Sequence, residues 1–394
     1  MAYFDLTDAP GVTELAWPTR VVLGPGALAR LPAELERLAI RRPLVVTDAG
    51  VVRSGIVARV HAVLTRADVA FARFEDVQPN PTDRDADAGL AAYRAGGCDG
   101  LVAVGGGSSI DAAKLVQLLV THPPPLSRYD DAAGGDRLVT ANLPPLVAIP
   151  TTAGTGSEVG RSGVAILPDT GRKTVIFSPH LLPRAAICDP ELTLGLPPHL
   201  TAATGMDAFT HGFEAYVAAG FHPLADAVGL DAVRRAARSL PRAVRTPGDL
   251  AARTDMMIAA MEGAMAFQKG LGAAHALAHA LTPITGLHHG LANAIVLPAV
   301  AELVRPAAQG RLAAVAVAMG EPPGRGEDAL AAAAVERIRA LVREVGLPAR
   351  LRDAGVREED LPRVAAKAFE DASHRTSPRP CAEADLLALA RAAW

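Results

Sequence analysis

The stretch that decides the fold is Leu101-Val-Ala-Val-Gly-Gly-Gly-Ser-Ser-Ile-Asp-Ala-Ala-Lys114. Its apolar start predicts a buried strand, its three glycines predict a tight turn, and the residues from Ser109 onward predict a helix. The N–H groups at the start of such a helix, together with the helix dipole, favour an anion such as a pyrophosphate. Ser108 is expected to cap the helix. A glycine-rich turn without a ligand is the alternative.

The same alternation of strand and helix extends over the first half of the chain. Strands are predicted at 20–23, 44–47, 69–74, 101–104, 146–149 and 164–167, with helices at 52–66, 83–95 and 109–120. This order predicts a parallel sheet with helices on both faces. Beyond residue 197 the strand pattern stops, and helices are predicted at 198–219, 223–240, 248–267, 273–283, 290–303, 307–320, 327–345, 359–371 and 383–393. We therefore predict an α/β domain over residues 1–196 and an all-helical domain over 197–394.

Composition excludes several classes of protein. A length of 394 residues favours two domains, and a net charge of −3 offers no basic field for nucleic acid or anionic lipid. The three cysteines are far apart, which argues against a disulfide framework and a thiolate metal site. Residues 1–10 contain Asp5 and Asp8 and lack the basic-then-apolar pattern that is typical of a secretion signal. Residues 270–301 carry no Asp, Glu, Lys or Arg, but their four histidines favour buried helices around a polar site over a membrane span. We predict a cytoplasmic protein.

Polar residues follow two of the predicted strands. Asp48 stands at the end of the strand at 44–47, where its carboxylate could accept hydrogen bonds from an adenosine ribose. An ordinary helix cap is the alternative for Asp48. The loop Pro150-Thr-Thr-Ala-Gly-Thr-Gly-Ser-Glu158 follows another strand with hydroxyls and two glycines, so it is either a second ligand loop or a plain turn.

The helical half carries an unusual group of histidines. Asp207 and His211 are four residues apart, which places a carboxylate and an imidazole on one face of a helix. His275 and His279 have the same spacing, and His289 follows within the uncharged stretch. A hydrogen-bonded core histidine explains one such residue but not so many close together. An aspartate with three histidines predicts a divalent metal site with open coordination positions.

In these segments the chain resembles the iron-containing (group III) alcohol dehydrogenases, which are related to glycerol dehydrogenases and dehydroquinate synthase. The resemblance implies an α/β dinucleotide-binding domain and a helical domain, with the active site in the cleft between them. It implies a metal-dependent oxidoreductase that transfers a hydride between NAD(H) and a small primary or secondary alcohol or its aldehyde or ketone. The family favours Fe²⁺, whereas the general affinity order favours Zn²⁺. A homodimer or higher homo-oligomer is expected.

The resemblance also implies roles for individual residues. The implied metal ligands are Asp207, His211, His275 and His289, with His279 beside them as a proton relay or substrate contact. The implied cofactor residues are Asp48 at the adenosine ribose, Gly106, Gly107 and Ser108 at the pyrophosphate, Lys173 at the nicotinamide-side ribose, and Asn80, Asp111, Thr151, Thr152, Thr155 and Ser157 in the surrounding loops. The carboxylate of Asp48 predicts NAD over NADP, because it would repel a 2′-phosphate.

Three questions stay open at this point. A glycerol dehydrogenase-like or dehydroquinate synthase-like enzyme is the alternative on the same scaffold, although the ligand pattern argues against it, and a catalytically silent binding module is a further alternative.

Lys269, one of four lysines, precedes His275 by six residues and has no acidic neighbour in the stretch at 270–301. We expect it either to meet an anionic substrate tail, or to point to solvent or pair with Glu262. The alcohol and the reaction's physiological direction are not predicted.

Overall fold

A computed structural model describes residues 19–167 and 172–394, which form two compact units divided between residues 196 and 197. The predicted α/β domain begins at residue 1, and its residues 1–18 lie outside the described residues.

The first unit is built on a six-stranded parallel sheet of order β1-β8-β5-β4-β2-β3. Its strands are β1 (Arg20–Leu23), β2 (Pro43–Val46), β3 (Ala72–Phe74), β4 (Gly100–Gly105), β5 (Leu146–Pro150) and β8 (Ala185–Cys188), and a separate antiparallel pair is formed by β6 (Ser162–Leu167) and β7 (Arg172–Phe177). Its helices are α1 (Leu31–Arg37), α2 (Ala49–Arg53), α3 (Ile56–Arg66), α4 (Asp83–Ala95) and α5 (Gly107–Thr121).

Helices cover both faces of the sheet. Successive residues of a strand point to opposite faces, so each strand contributes side chains to both cores. Leu44 and Leu101 pack on one face in a core shared with α4 and α5. Val45 and Val102 pack on the other face in a core shared with α1 and α3. The strand order reverses between β2 and β4, so the loops after these two strands lie side by side at the carboxyl edge, where open α/β sheets bind ligands.

The predicted α/β class and parallel sheet are confirmed, with three differences. The helix predicted at 52–66 is broken at Gly55, whose φ of +81° separates α2 from α3. The strand predicted at 164–167 does not join the sheet: β6 pairs with β7, a strand that the sequence analysis missed, and packs on α5 through Gly163. Strand β8 was also missed, because its short Ala185-Ala-Ile-Cys188 run lacks a β-rich composition.

The second unit is helical, and each of its nine predicted helices is confirmed. They are α6 (Pro198–Val217), α7 (Pro223–Arg245), α8 (Leu250–Ala266), α9 (Ala273–Thr285), α10 (His289–Val304), α11 (Gln309–Ala318), α12 (Glu327–Glu344), α13 (Leu361–Glu370) and α14 (Glu383–Ala392). Helix α6 is buried along most of its length and packs against α7, α8 and α10. Within the described ranges, no helix has the length and apolar character needed to cross a membrane.

Helices α6 and α7 cross where two glycines face each other. A Cβ atom added at Gly212 would lie 2.8 Å from the carbonyl oxygen of Gly229 and 2.9 Å from the Cβ of Ala232. The two backbones therefore approach more closely than any side chain allows.

We predict that Gly212→Ala lowers the free energy of unfolding by about 1–3 kcal/mol, because overpacking forces the helices apart. Urea denaturation of metal-free protein, followed by circular dichroism, measures this loss. Gly195→Ala is the matched control, since a Cβ at Gly195 meets nothing within 4 Å. An equal effect of both variants would contradict the role given to the crossing.

Candidate metal centre and cofactor loops

Three helices of the second unit each present two polar residues one turn apart. These pairs are Asp207 and His211 on α6, His275 and His279 on α9, and His289 and Asn293 on α10. The close approach of α10 to α6 depends on Gly290, where an added Cβ would lie 2.3 Å from the carbonyl oxygen of Ala203.

The ligand atoms of Asp207, His275 and His289 lie within 4.8 Å of one another. Asp207 Oδ1 is 3.8 Å from His275 Nε2 and 3.5 Å from His289 Nε2. The side-chain nitrogen of Asn293 lies 2.8 Å from Asp207 Oδ1, 3.2 Å from His275 Nε2 and 3.3 Å from His289 Nε2. An amide nitrogen carries two N–H bonds, so it can donate to Asp207 and to one of the two Nε2 atoms at a time, which places that Nε2 as an acceptor with its lone pair directed into the cluster. A metal requires its histidine ligands in this form.

His211 lies next to this group but not within it. It is buried, and its ring stacks on that of His275 with centroids 4.5 Å apart. Burial alone would raise the pKa of Asp207, but the facing His211 and His275 imidazoles and the amide of Asn293 outweigh it and lower that pKa. The structure thus brings three of the four predicted ligands together and keeps the carboxylate among them ionised.

Glu214 is a functional residue that sequence reasoning missed. Its buried carboxylate accepts hydrogen bonds from the backbone N–H groups of Gly272 (3.1 Å), Ala274 (2.7 Å) and His275 (3.2 Å), at the start of α9. The same carboxylate lies 2.7 Å from His275 Nδ1. An ionised carboxylate only accepts, so Nδ1 carries the proton and Nε2 is left for a metal. Glu214 follows Asp207 by seven residues on the same face of α6, which is the signal that could have identified it.

His279 lies beside the cluster. Its ring is nearly parallel to that of His289, with centroids 5.1 Å apart and an angle of 12°. Its Nδ1 is 2.8 Å from Oδ2 of Asp371. Asp371 was also missed, because 92 residues separate the two in sequence and no local pattern links them.

The loops after β2 and β4 contact each other in the first unit. Asp48 caps α2 by accepting from the N–H groups of Gly50 and Val51, and its other oxygen accepts the Ser109 hydroxyl at 2.7 Å. The capping alternative for Asp48 is therefore observed. Gly105 has a φ of +151°, and a Cβ there would lie 2.4 Å from Ser109 Oγ.

The glycine loop packs directly against the loop that follows β5. A Cβ at Gly106 would lie 3.2 Å from Thr152 Oγ1, and one at Gly107 would lie 2.6 Å from Thr155 Oγ1. Thr151 is buried at the start of the second loop, and its N–H donates to the carbonyl of Gly105. The two predicted cofactor loops are thus adjacent.

The prediction that Ser108 caps the helix is wrong. The turn at Gly105 brings the chain into α5 earlier, so Gly106 occupies the N-cap position without a side-chain cap and Ser108 lies inside the first turn. Ser108 Oγ instead accepts the N–H of Asn80 at 3.4 Å. A helix start without a side-chain cap leaves its N–H groups available to an anion.

Asp111 and Ser157 bond to each other inside the fold. Ser157 donates its hydroxyl to Asp111 at 2.6 Å, and both residues are buried. Lys114 Nζ donates to the carbonyl oxygens of Ser157, Gly160 and Ser162 at 2.8–2.9 Å. Burial lowers the pKa of Lys114 to about 8. Through these contacts, side chains of α5 hold the loop that follows β5 in its shape.

Lys173 lies on β7 opposite Ile166, and its positive charge acts on Asp111. Because Thr174 and Ile176 are the buried residues of this part of β7, Lys173 lies on the opposite, half-exposed face of the hairpin.

The structure contradicts the expectation that Lys269 meets a substrate. Its Nζ is buried, 2.5 Å from Asp226 Oδ1, and donates to the carbonyl of Tyr216 at 3.1 Å. The first turn of α7 supplies this acidic partner from 43 residues away, which is why a search of the neighbouring sequence did not find it. The alternative partner, Glu262, instead lies 3.3 Å from Arg235.

The donor set fits a divalent metal. One carboxylate oxygen and two imidazole nitrogens converge, and Asn293 Oδ1 is a buried oxygen without a hydrogen-bond partner there. Nitrogen and oxygen donors of this kind suit iron or zinc.

Known proteins agree with this fold and site. The family model described as iron-containing alcohol dehydrogenase matches residues 18–190, and its Fe-containing C-terminal counterpart matches residues 201–394. The 4-hydroxybutyrate dehydrogenase of Cupriavidus necator is 45% identical over 93% of this chain and 96% of its own length. Among solved structures, a 1,3-propanediol oxidoreductase has a TM-score of 0.93 at 38% identity, covering 97% of this chain and all of its own. A sulfoacetaldehyde reductase of Bifidobacterium kashiwanohense, solved with NAD⁺, has a TM-score of 0.86 at 28% identity, covering 97% of this chain and 98% of its own.

The chain belongs to the iron-containing alcohol dehydrogenase family. It is an oxidoreductase that transfers a hydride between NAD(H) and a small alcohol or aldehyde and depends on a divalent metal. The predicted family, fold class and cofactors are confirmed.

We predict that Glu214→Gln weakens metal binding about 10- to 100-fold, because an amide cannot accept from all the donors that surround Glu214. Competition with a chelator measures this affinity without reference to activity. Glu262→Gln is the matched control, because the Glu262 carboxylate lies 3.3 Å from Arg235 instead of at the start of α9. Unchanged metal affinity in Glu214→Gln would contradict the role of this carboxylate.

Proposed function

We propose that this enzyme interconverts short ω-hydroxy acids and their semialdehydes, with 4-hydroxybutyrate as the representative substrate. The observation that carries the proposal is the 45% identity to a 4-hydroxybutyrate dehydrogenase over nearly the whole chain. A sulfoacetaldehyde reductase, whose substrate also combines a small aldehyde with an anionic group, has the same fold. A neutral diol is the second candidate, because the 1,3-propanediol dehydrogenase of Klebsiella pneumoniae is 39% identical.

The metal is held by Asp207, His275 and His289, with His211 as the fourth ligand. Support comes from the convergence of the first three donors and from the stacking of His211 on His275. When bound, the metal supplies a Lewis acid for the substrate oxygen, and NAD⁺ supplies the hydride acceptor. Fe²⁺ is the proposed ion, on the strength of the family, with Zn²⁺ as the alternative.

His279 is the group that takes the hydroxyl proton during alcohol oxidation. Its side chain is 18% exposed, whereas that of His275 is 1% exposed, so of these two histidines on α9 His279 is the accessible one. A neutral imidazole is a suitable base near pH 7.

The two adjacent loops of the α/β unit bind NAD(H). Gly106, Gly107 and Ser108 hold the pyrophosphate, and Asp48 accepts from the adenosine ribose and disfavours NADP. The remaining contacts come from Asn80, Thr151, Thr152, Thr155 and Lys173. Asp111 and Ser157 support the second loop through their buried hydrogen bonds rather than touching the cofactor. The reversal of strand order beside these loops supports this assignment.

The enzyme acts in the cytoplasm as a homo-oligomer. All three cysteines fall in the described ranges and carry free thiols, which suits a reducing compartment. Sedimentation analysis of the purified protein tests the oligomer.

The substrate proposal predicts that kcat/KM for 4-hydroxybutyrate exceeds that for 1,4-butanediol at least about tenfold, equivalent to about 1.4 kcal/mol. Both compounds have four carbons and differ in the charged end. NADH formation by anaerobically reconstituted enzyme gives both values. Lys269→Met should change kcat/KM for both compounds by the same factor, because Lys269 pairs with Asp226 and not with the substrate. A preference for the diol would replace the proposal with the second candidate.

Ligand and relay variants should separate metal binding from turnover. We expect His289→Ala to lose most of its bound metal, since one of the converging donors is removed, and to keep NADH affinity. His279→Ala should keep its metal and turn over more slowly. Metal analysis and NADH fluorescence titration measure these properties, and loss of metal from His279→Ala would show that the roles are wrongly assigned.

A further inference from the structure

The contact between His279 and Asp371 is more constrained than a surface ion pair. Asp371 stands at the start of the 3₁₀ turn Ala372–Thr376. Its Oδ2 lies 2.8 Å from His279 Nδ1, and its Oδ1 accepts the N–H of Ser373 at 2.7 Å. Each carboxylate oxygen thus has its own donor.

Asp371 is ionised in this setting. Burial alone would raise its pKa, but His279 and the contacts to Ser373 outweigh burial and hold the pKa well below its usual range. An ionised carboxylate is only an acceptor, so His279 Nδ1 must be the donor of the bond between them. The proton of neutral His279 is therefore on Nδ1, and Nε2 carries the lone pair.

The segment that carries Asp371 is anchored independently of His279. Thr376 Oγ1 donates to the carbonyl of Leu271 at 2.7 Å, and the carbonyl of Thr376 accepts the N–H of Ala219 at 2.8 Å. A Cβ at Gly270 would lie 2.4 Å from Thr376 Oγ1, so this turn packs directly on the chain that leads into α9. Asp371 is thereby held in place at the turn's start while Thr376 fixes its end.

We propose that Asp371 is a positioning residue that fixes the orientation and tautomer of His279, so that Nε2 is the atom that receives the substrate's proton. The proposal rests on the relay role proposed for His279. In alcohol oxidation the O–H bond breaks and its proton passes to Nε2. The C–H bond breaks with its electron pair leaving as hydride to NAD⁺, and the C=O bond forms. Asp371 stabilises the cation that His279 becomes and undergoes no bond change itself.

The test compares four proteins: the unmodified enzyme, Asp371→Asn, His279→Ala and the double variant. An amide offers one acceptor oxygen, so Asp371→Asn either leaves one of the two donors without an acceptor or donates its own N–H to His279 Nδ1 and so favours the opposite tautomer. We expect a fall in kcat of about 10- to 100-fold, with KM, NADH affinity and metal content within about twofold of the unmodified enzyme. In the His279→Ala background the same substitution should change kcat less than about twofold.

Two further proteins separate positioning from a structural role. Asp385→Asn is the matched control, because Asp385 also accepts a backbone N–H, that of Ala382, and pairs with Arg379, both exposed contacts. It should keep its full kcat.

Asp371→Ser retains a capping hydroxyl for Ser373 but is too short to reach His279, and it should match Asp371→Asn. Nitrogen-15 NMR of histidine-labelled, Zn²⁺-loaded protein should show Nδ1 of His279 protonated, with that signature lost in Asp371→Asn.

The outcomes distinguish this proposal from the one it rests on. Full kcat in Asp371→Asn together with slow turnover in His279→Ala overturns the positioning role alone. Full kcat in His279→Ala overturns the relay and the positioning role together. Equal losses from Asp371→Asn in both backgrounds, or loss of metal from Asp371→Asn, would show a structural role instead.

Discussion

The carboxylate of Glu214 is the group on which the geometry of the histidine cluster depends. A helix begins with N–H groups that have no partner within the helix, and its dipole favours a negative charge there. Glu214 meets both demands at the start of α9 and also accepts from His275 Nδ1. Gly272 allows this approach, since a Cβ at that position would lie 2.4 Å from Glu214 Oε1. One buried charge therefore fixes where α9 begins and how His275 is presented.

Helix α9 receives a second carboxylate one turn later. Glu214 fixes His275 from the side of α6, and Asp371 contacts His279 from the turn that follows α13. The two histidines are neighbours on one helix face but differ in exposure, which suits one for metal binding and the other for proton transfer. The α/β unit uses a related device, in which the buried Lys114 gathers three carbonyl oxygens to shape a loop. In both units a buried charge with several backbone partners holds functional residues in place.

Sequence reasoning succeeded where the signal is local. Three features could be predicted from residues that are close together in the sequence. They are the glycine turn before α5, the helix periodicity of the second unit and the four-residue spacing of the polar pairs. It failed where a contact joins distant segments: Asp226 reaches Lys269 across 43 residues, and Asp371 reaches His279 across 92. The hairpin of β6 and β7 was missed because strand propensity does not reveal the pairing partner. The role of Glu214 was missed for a different reason. Its carboxylate binds the N–H groups at the start of α9, and this contact depends on how α9 packs against α6.

The measurement that tests this account most directly is a crystal structure of the reconstituted enzyme with anomalous diffraction data at the absorption edge of the added metal. The account predicts a single anomalous peak bonded to Asp207, His275 Nε2 and His289, with His211 completing the set and Glu214 still bonded to His275 Nδ1. A peak elsewhere in the chain, or His275 bound through Nδ1 with Glu214 displaced, would contradict it.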